Sequence, residues 1–143
     1  MYKEKSTNEL FNEITKSKEI NLFLENNKAD LSHPSAATYL SDLLQKKHMD
    51  KSALIQRSGL DRVYVYQILS GKKASPSRSK LLALALALQL TLDETQHLLK
   101  YGHVSELYPR NRADSILIYA INNKLSVIET NTRLAELNLF LLE

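Results

Sequence analysis

The fold is decided by residues 50–71, DKSALIQRSGLDRVYVYQILSG. Asp50 and Asp61 each precede a short stretch with apolar residues at helical spacing, so their side chains are suited to cap two helices. Gly59 lies where the chain must turn sharply, and Leu60 is expected to fill the space between the helices. The pattern predicts a helix-turn-helix, with a first helix over 51–58 and a second over 62–69.

The second of these helices is predicted to present an outward face suited to DNA. Val65 and Ile68 would face the core, which leaves four residues outside: Arg62, Val63, Tyr66 and Gln67. In a major groove, Arg pairs with guanine, Gln pairs with adenine, and Val can touch a thymine methyl. We therefore expect these four residues to contact bases. A solvated face that contacts another protein is the alternative.

Positive charge is concentrated around the same helices. Residues 46–80 contain nine Lys or Arg and two Asp, a net charge of +7, and because the whole chain carries +3 the remainder carries −4. Such a concentration is typical of a nucleic-acid partner. Phosphate contacts are predicted from residues near the second helix: Lys51, Tyr64, Lys72, Lys73 and Arg78. For each of them, a packing or solvated role is the alternative.

Residues 36–101 resemble the lambda-repressor-like, Cro-type family of DNA-binding proteins, also called the XRE family. The resemblance rests on Leu54, Gly59, Val65, Ile68, Gly71 and Lys72, and continues through Pro76-Ser77, an apolar helix and Leu90-Thr-Leu-Asp-Glu94. It implies an all-α fold with a lambda-repressor-like helix-turn-helix core. Two positions depart from the family pattern, with Lys51 in place of Gln and Ile55 in place of Ala.

Helical segments flank this core on both sides. Residues 1–33 are predicted to form an N-terminal helical extension, in which Ser6 and Glu9 have the spacing of a capping box. The linker Leu31-Ser-His-Pro-Ser35 leads into a helix-turn-helix domain over 34–102. Residues 103–143 are predicted to be a C-terminal helical pair that either dimerises or packs only within the chain.

An internal repeat appears at an offset of 35 residues. Leu81-Leu82 maps onto Ile116-Leu117, and Thr91 maps onto Ser126. Further matches are Ala85-Leu86 with Ala120-Ile121, Glu94-Thr95 with Glu129-Thr130, and Leu99 with Leu134. The repeat predicts two successive helix–cap–helix units of the same design, with Thr91 and Ser126 as N-caps and Gly102 ending the first unit.

Composition excludes several classes of protein. Three Gly and three Pro are too few for the tight turns of an all-β fold, and the absence of Cys excludes disulfides and thiolate zinc sites. The longest apolar run, 81–90, is about half of the roughly 20 residues that span a bilayer. Glu94 and His97 have the i, i+3 spacing of helical metal ligands, but surface roles are favoured. We expect a cytoplasmic protein with no cofactor and no metal.

The sequence thus predicts a sequence-specific DNA-binding transcriptional regulator, a repressor, that binds double-stranded DNA as a homodimer. The alternative is an antitoxin- or adaptor-type module that keeps the helix-turn-helix fold and binds a protein partner. No phosphate-binding loop, carboxylate pair or nucleophile motif is evident, so we expect no enzymatic activity.

Overall fold

The computed structural model describes residues 5–73 and 75–143. Residues 1–4 of the predicted N-terminal extension and Ala74 lie outside the described residues. The chain divides into two compact units at residues 33 and 34. Regular structure in the described residues is entirely helical, as the sequence predicts.

The first unit is a short helical pair. It comprises α1 (Thr7–Lys16) and α2 (Ile20–Asn26), followed by a 3-10 turn over Lys28–Asp30. The Ser6 hydroxyl accepts a hydrogen bond from the Glu9 backbone N–H at 3.1 Å, which is the Ser6 half of the predicted capping box. Among its described residues only Phe23 and Asn27 are buried, so most of its apolar side chains remain exposed.

The second unit contains seven α-helices in its described residues. They are α3 (Ala36–Lys46), α4 (Lys51–Ser58), α5 (Arg62–Ser70), α6 (Arg78–Ala87), α7 (Leu92–Tyr101), α8 (Arg112–Asn122) and α9 (Val127–Glu136). The helix predicted over 62–69 is one residue longer. Helix α8 begins two residues before Asp114, because the Asn111 side chain caps it by accepting from the Asp114 N–H at 2.9 Å.

Helix α6 lies at the centre of the second unit. All residues from 81 to 88 are buried, because α4, α7, α8 and α9 pack around this helix. Alternating Leu and Ala, both strong helix formers, therefore form the buried part of α6, while its first turn over 78–80 is partly exposed. The unit does not divide at residue 103, because α8 and α9 share the core of the helix-turn-helix.

Gly102 ends α7, but its role differs from that of a left-handed cap. Its φ is −83°, and the next residue, His103, adopts the positive φ of 58°. A Cβ at position 102 would lie 2.6 Å from Cδ1 of Leu81. Any larger residue here would have to displace the Leu81 side chain, so the close approach of α6 and the end of α7 favours glycine, rather than the backbone conformation.

The predicted repeat is confirmed by two identical capping boxes. The Thr91 hydroxyl accepts from the Glu94 N–H and the Glu94 carboxylate accepts from the Thr91 N–H; Ser126 and Glu129 make the same two bonds. Two helix–cap–helix units of one design therefore follow one another, as the sequence predicts.

A second correspondence extends the repeat beyond the helices. The Gln96 side-chain amide accepts from the Leu107 N–H at 2.7 Å and donates to the Leu107 carbonyl at 3.0 Å. The Asn131 side chain holds Leu142 in the same way, at 2.8 and 3.2 Å. In each unit an amide on the second helix thus fixes the backbone of a leucine that completes the core.

Candidate nucleic-acid interface

Local capping builds the helix-turn-helix from α4 and α5. The Asp50 carboxylate accepts from the Ala53 N–H at 2.7 Å at the start of α4, and Asp61 accepts from the Tyr64 N–H at 3.3 Å at the start of α5. Gly59, between them, has a φ of +70°, and a Cβ there would meet nothing within 4 Å. Its backbone conformation therefore explains the glycine, as the tight turn predicts.

Helix α5 has one buried side and one exposed side. Val65, Ile68 and Leu69 are buried, while Val63 is 61% exposed and Gln67 is exposed. Because successive residues of an α-helix turn by about 100°, Val63 and Gln67 lie opposite the buried residues. Tyr64 and Tyr66 lie on the two flanks between these sides.

Two cations surround the Tyr66 ring on one flank. The Lys51 Nζ lies 5.4 Å from the ring centroid, and the guanidinium carbon of Arg62 lies 6.0 Å from it. The negative face of an aromatic ring attracts cations at such distances. This arrangement brings together the predicted phosphate residue Lys51 and the predicted base residues Arg62 and Tyr66.

Two further cations surround the Tyr64 ring on the other flank. The Lys73 Nζ lies 5.4 Å and the Lys80 Nζ 4.9 Å from the ring centroid. Lys73 is brought back toward α5 because its N–H donates to the Gln67 carbonyl at 3.1 Å. Lys80 belongs to the first turn of α6, where its N–H donates to the Ser77 hydroxyl.

Lys80 is the residue of this surface that sequence reasoning missed. Lys80 belongs to the basic segment over 46–80, and this concentration of charge was the only sequence feature that pointed to it. Its position beside Tyr64 depends on how α6 packs, which the local pattern does not contain.

Within residues 5–73 and 75–143, no ion pair neutralises the cations on the two flanks. The ion pairs of the described residues are Lys5–Glu13, Lys47–Glu94 and Arg78–Asp114. None of these pairs includes Lys51, Arg62, Lys73 or Lys80. Both edges of α5 therefore offer positive charge to an anionic partner.

A comparison with known families agrees with this geometry. Residues 39–95 match the family model of the Cro/C1-type HTH DNA-binding domain. Residues 39–95 form a Cro/C1-type helix-turn-helix domain. The match includes α4, α5 and both flanking sets of cations. No curated protein and no solved structure matches the chain.

Arg78 belongs to the Cro/C1-type domain, but its side chain faces the C-terminal pair. Its guanidinium donates to the Asp114 carboxylate at 3.1 and 2.8 Å, and to the carbonyls of Ser105 at 2.8 Å and Glu106 at 3.2 Å. Four of its five N–H groups are thereby used. The phosphate contact predicted for Arg78 would have to use the one remaining guanidinium N–H. Lys72, in contrast, is exposed in the loop that follows α5.

Glu94 and His97, which have the spacing of helical metal ligands, each contact other residues of the fold. Burial raises the pKa of Glu94, but hydrogen bonds from the Thr91 backbone and Lys47 outweigh it and hold the pKa below its ordinary value. His97 packs near the rings of Tyr39 and Tyr101. No group of three or more metal-ligating side chains occurs in residues 5–73 and 75–143. No helix in these ranges is long and apolar enough to cross a membrane.

Proposed function

We propose that this protein is a sequence-specific transcriptional regulator that inserts α5 into the major groove of double-stranded DNA. The observation that carries the proposal is the surface of α5, where exposed Val63 and Gln67 lie between two tyrosines that each attract two cations. The major groove is about 12 Å wide and is bordered by two phosphate strands. A base-contacting centre with a positive edge on each side matches that shape.

The roles of the individual residues follow from their positions around α5. Val63 and Gln67 contact bases at the centre of the groove, and Arg62 and Tyr66 contact bases toward one edge. Phosphate contacts come from Lys51, Tyr64, Lys72 and Lys73. Phosphate contacts fix the register on the duplex, and base contacts supply the specificity.

The regulator acts as a repressor in this proposal. A protein that occupies the major groove at a promoter excludes polymerase by occupancy alone, so repression requires no further activity. This role places the protein in the cytoplasm with the DNA.

A homodimer is the proposed active form, and the repeat supports it. The second copy of the internal repeat exposes apolar side chains where the first copy has polar ones. Ile128 is 79%, Phe140 98% and Leu141 41% exposed. The equivalent residues at an offset of 35 are Asp93, Ser105 and Glu106. Exposed apolar side chains at positions where the first repeat has polar ones are suited to burial against a second copy. Dimers of helix-turn-helix proteins bind half-sites about one helical turn apart.

A genome-wide selection tests this function. Purified full-length protein is mixed with sheared genomic DNA from the same organism, and the bound fragments are sequenced and footprinted. We expect a two-fold symmetric site with half-sites about 10 base pairs apart, and an affinity that falls steeply with salt. Enrichment of no sequence at any salt concentration would contradict the proposal and leave α5 for a protein partner.

A further inference from the structure

We propose that Tyr64, Lys73 and Lys80 form a phosphate clamp at one edge of α5, in which the tyrosine ring positions two ammonium groups and Lys80 contacts DNA. The proposal rests on the proposed function, since it concerns the same DNA surface. It adds Lys80 as a DNA contact and gives Tyr64 a positioning role.

The three residues of the clamp come from different parts of the Cro/C1-type domain. Tyr64 lies on α5, Lys73 in the following loop and Lys80 in the first turn of α6. The two Nζ atoms lie 5.4 and 4.9 Å from the same ring centroid. Residues this far apart in sequence converge only because the folded domain holds them together.

The charges of the clamp favour an anionic ligand. The two ammonium groups repel each other, and the ion pairs of the described chain provide no carboxylate to either. The ring face offsets part of this repulsion. An anion that approaches both lysines would offset the repulsion that is left between the two ammonium groups. Lysine binds phosphate as a compact point charge.

The position of the clamp identifies the anion as one strand of the DNA backbone. Tyr64 and Tyr66 lie two residues apart on α5, so their directions differ by about 200° around the helix axis. With Gln67 and Val63 facing the bases, the clamp meets one phosphate strand, and Lys51 on the opposite flank meets the other. The clamp and Lys51 are therefore expected to contact opposite strands.

The main experiment measures binding of full-length protein to two duplexes over a range of salt concentrations. One duplex carries the selected operator and the other a random sequence. Lys80→Gln should lower the salt slope by about one unit on both duplexes. Loss of one phosphate contact should weaken binding about eightfold at 0.1 M salt. Lys100→Gln, an equal charge change at an exposed site on α7, should leave the slope unchanged.

Two tyrosine variants test the positioning role. Tyr64→Phe keeps the ring and should keep the wild-type slope. Tyr64→Leu should lower the slope although no charge is removed, provided that thermal melting shows a folded protein. In phosphate ethylation interference, Lys80→Gln should remove contacts on one strand, and Lys51→Gln on the other.

The outcomes separate the clamp from the function on which it rests. A wild-type protein that binds neither duplex overturns both. Wild-type binding with an unchanged slope in Lys80→Gln overturns the clamp alone. An unchanged slope in folded Tyr64→Leu overturns the positioning role of the ring.

Discussion

The carboxylate of Asp114 accepts two hydrogen bonds from the guanidinium of Arg78, at 3.1 and 2.8 Å. Asp114 is only 6% exposed and also accepts from the Tyr108 N–H at 2.9 Å. This pair joins α6 of the Cro/C1-type domain to α8 of the C-terminal pair, so Arg78 stabilises the contact between these two helices.

The Arg78–Asp114 pair predicts a stability effect. Arg78→Ala should lower the free energy of unfolding by about 3 kcal/mol, because it leaves a buried carboxylate without its charged partner. The measurement is urea unfolding followed by circular dichroism. Arg110→Ala, at an exposed position, is the control and should change stability by less than about 0.5 kcal/mol. Unchanged stability with a reduced salt slope would instead return Arg78 to the phosphate contacts.

Local features of this fold could be predicted from sequence, and long-range ones could not. Asp50, Asp61 and Ser126 were predictable as caps because a cap acts on a backbone N–H three residues away. The partner of Arg78 lies 36 residues along the chain, so the local pattern could not show this ion pair, and the phosphate contact of Arg78 stays a prediction. Lys80 was missed for the same reason, since its neighbour Tyr64 is supplied by another helix.

The repeat contains more information than the matched helices alone. The offset of 35 residues that aligns Thr91 with Ser126 also aligns Gln96 with Asn131 and Leu107 with Leu142. An alignment carried to the chain end therefore pairs these side-chain amides from the sequence alone. Their hydrogen bonds to the leucine backbone could not be predicted in this way, because they form only when the loop after each second helix folds back onto it.

Gln67 should discriminate between DNA sequences. Gln67→Ala is expected to cost about 1–3 kcal/mol of binding free energy on the selected operator and little on random DNA, since a base contact is lost. Titration of both duplexes at one salt concentration measures the difference. Gln56→Ala, an exposed Gln on α4, is the matched control. Equal losses on the two duplexes would show that Gln67 does not contact a base.

The loop lysines should bind phosphates of any sequence. A Lys72→Ala/Lys73→Ala double variant is expected to weaken binding to all duplexes alike and to lower the salt slope by about two units. The slope is obtained from binding constants at several salt concentrations. If the slope of the double variant equals that of the wild type, neither lysine contacts the backbone.

Acid should weaken the capping box of α7. The pKa of Glu94 is lower in the folded protein than in the unfolded chain. Its contribution is therefore complete above the unfolded pKa and is lost as the pH falls through the folded pKa. Glu94→Gln keeps an oxygen for the Thr91 N–H but cannot titrate. The free energy of unfolding should therefore fall less steeply in this variant than in the wild type between about pH 6 and pH 3. Parallel pH curves would contradict this role.

The apolar surface of the second repeat should hold two copies together. Because Leu142 is buried and bonded to Asn131, truncating the chain would damage the core, so surface substitutions are the sharper test. Phe140→Ser and Leu141→Glu introduce the residues that the first repeat has at the equivalent positions, Ser105 and Glu106. This double variant should sediment as a monomer and bind the operator more weakly, with unchanged helicity. Tyr108→Ser, at an exposed aromatic outside the second repeat, should remain dimeric. A wild-type protein that is monomeric at tens of micromolar, and gives a single-site isotherm without a symmetric footprint, would exclude the dimer.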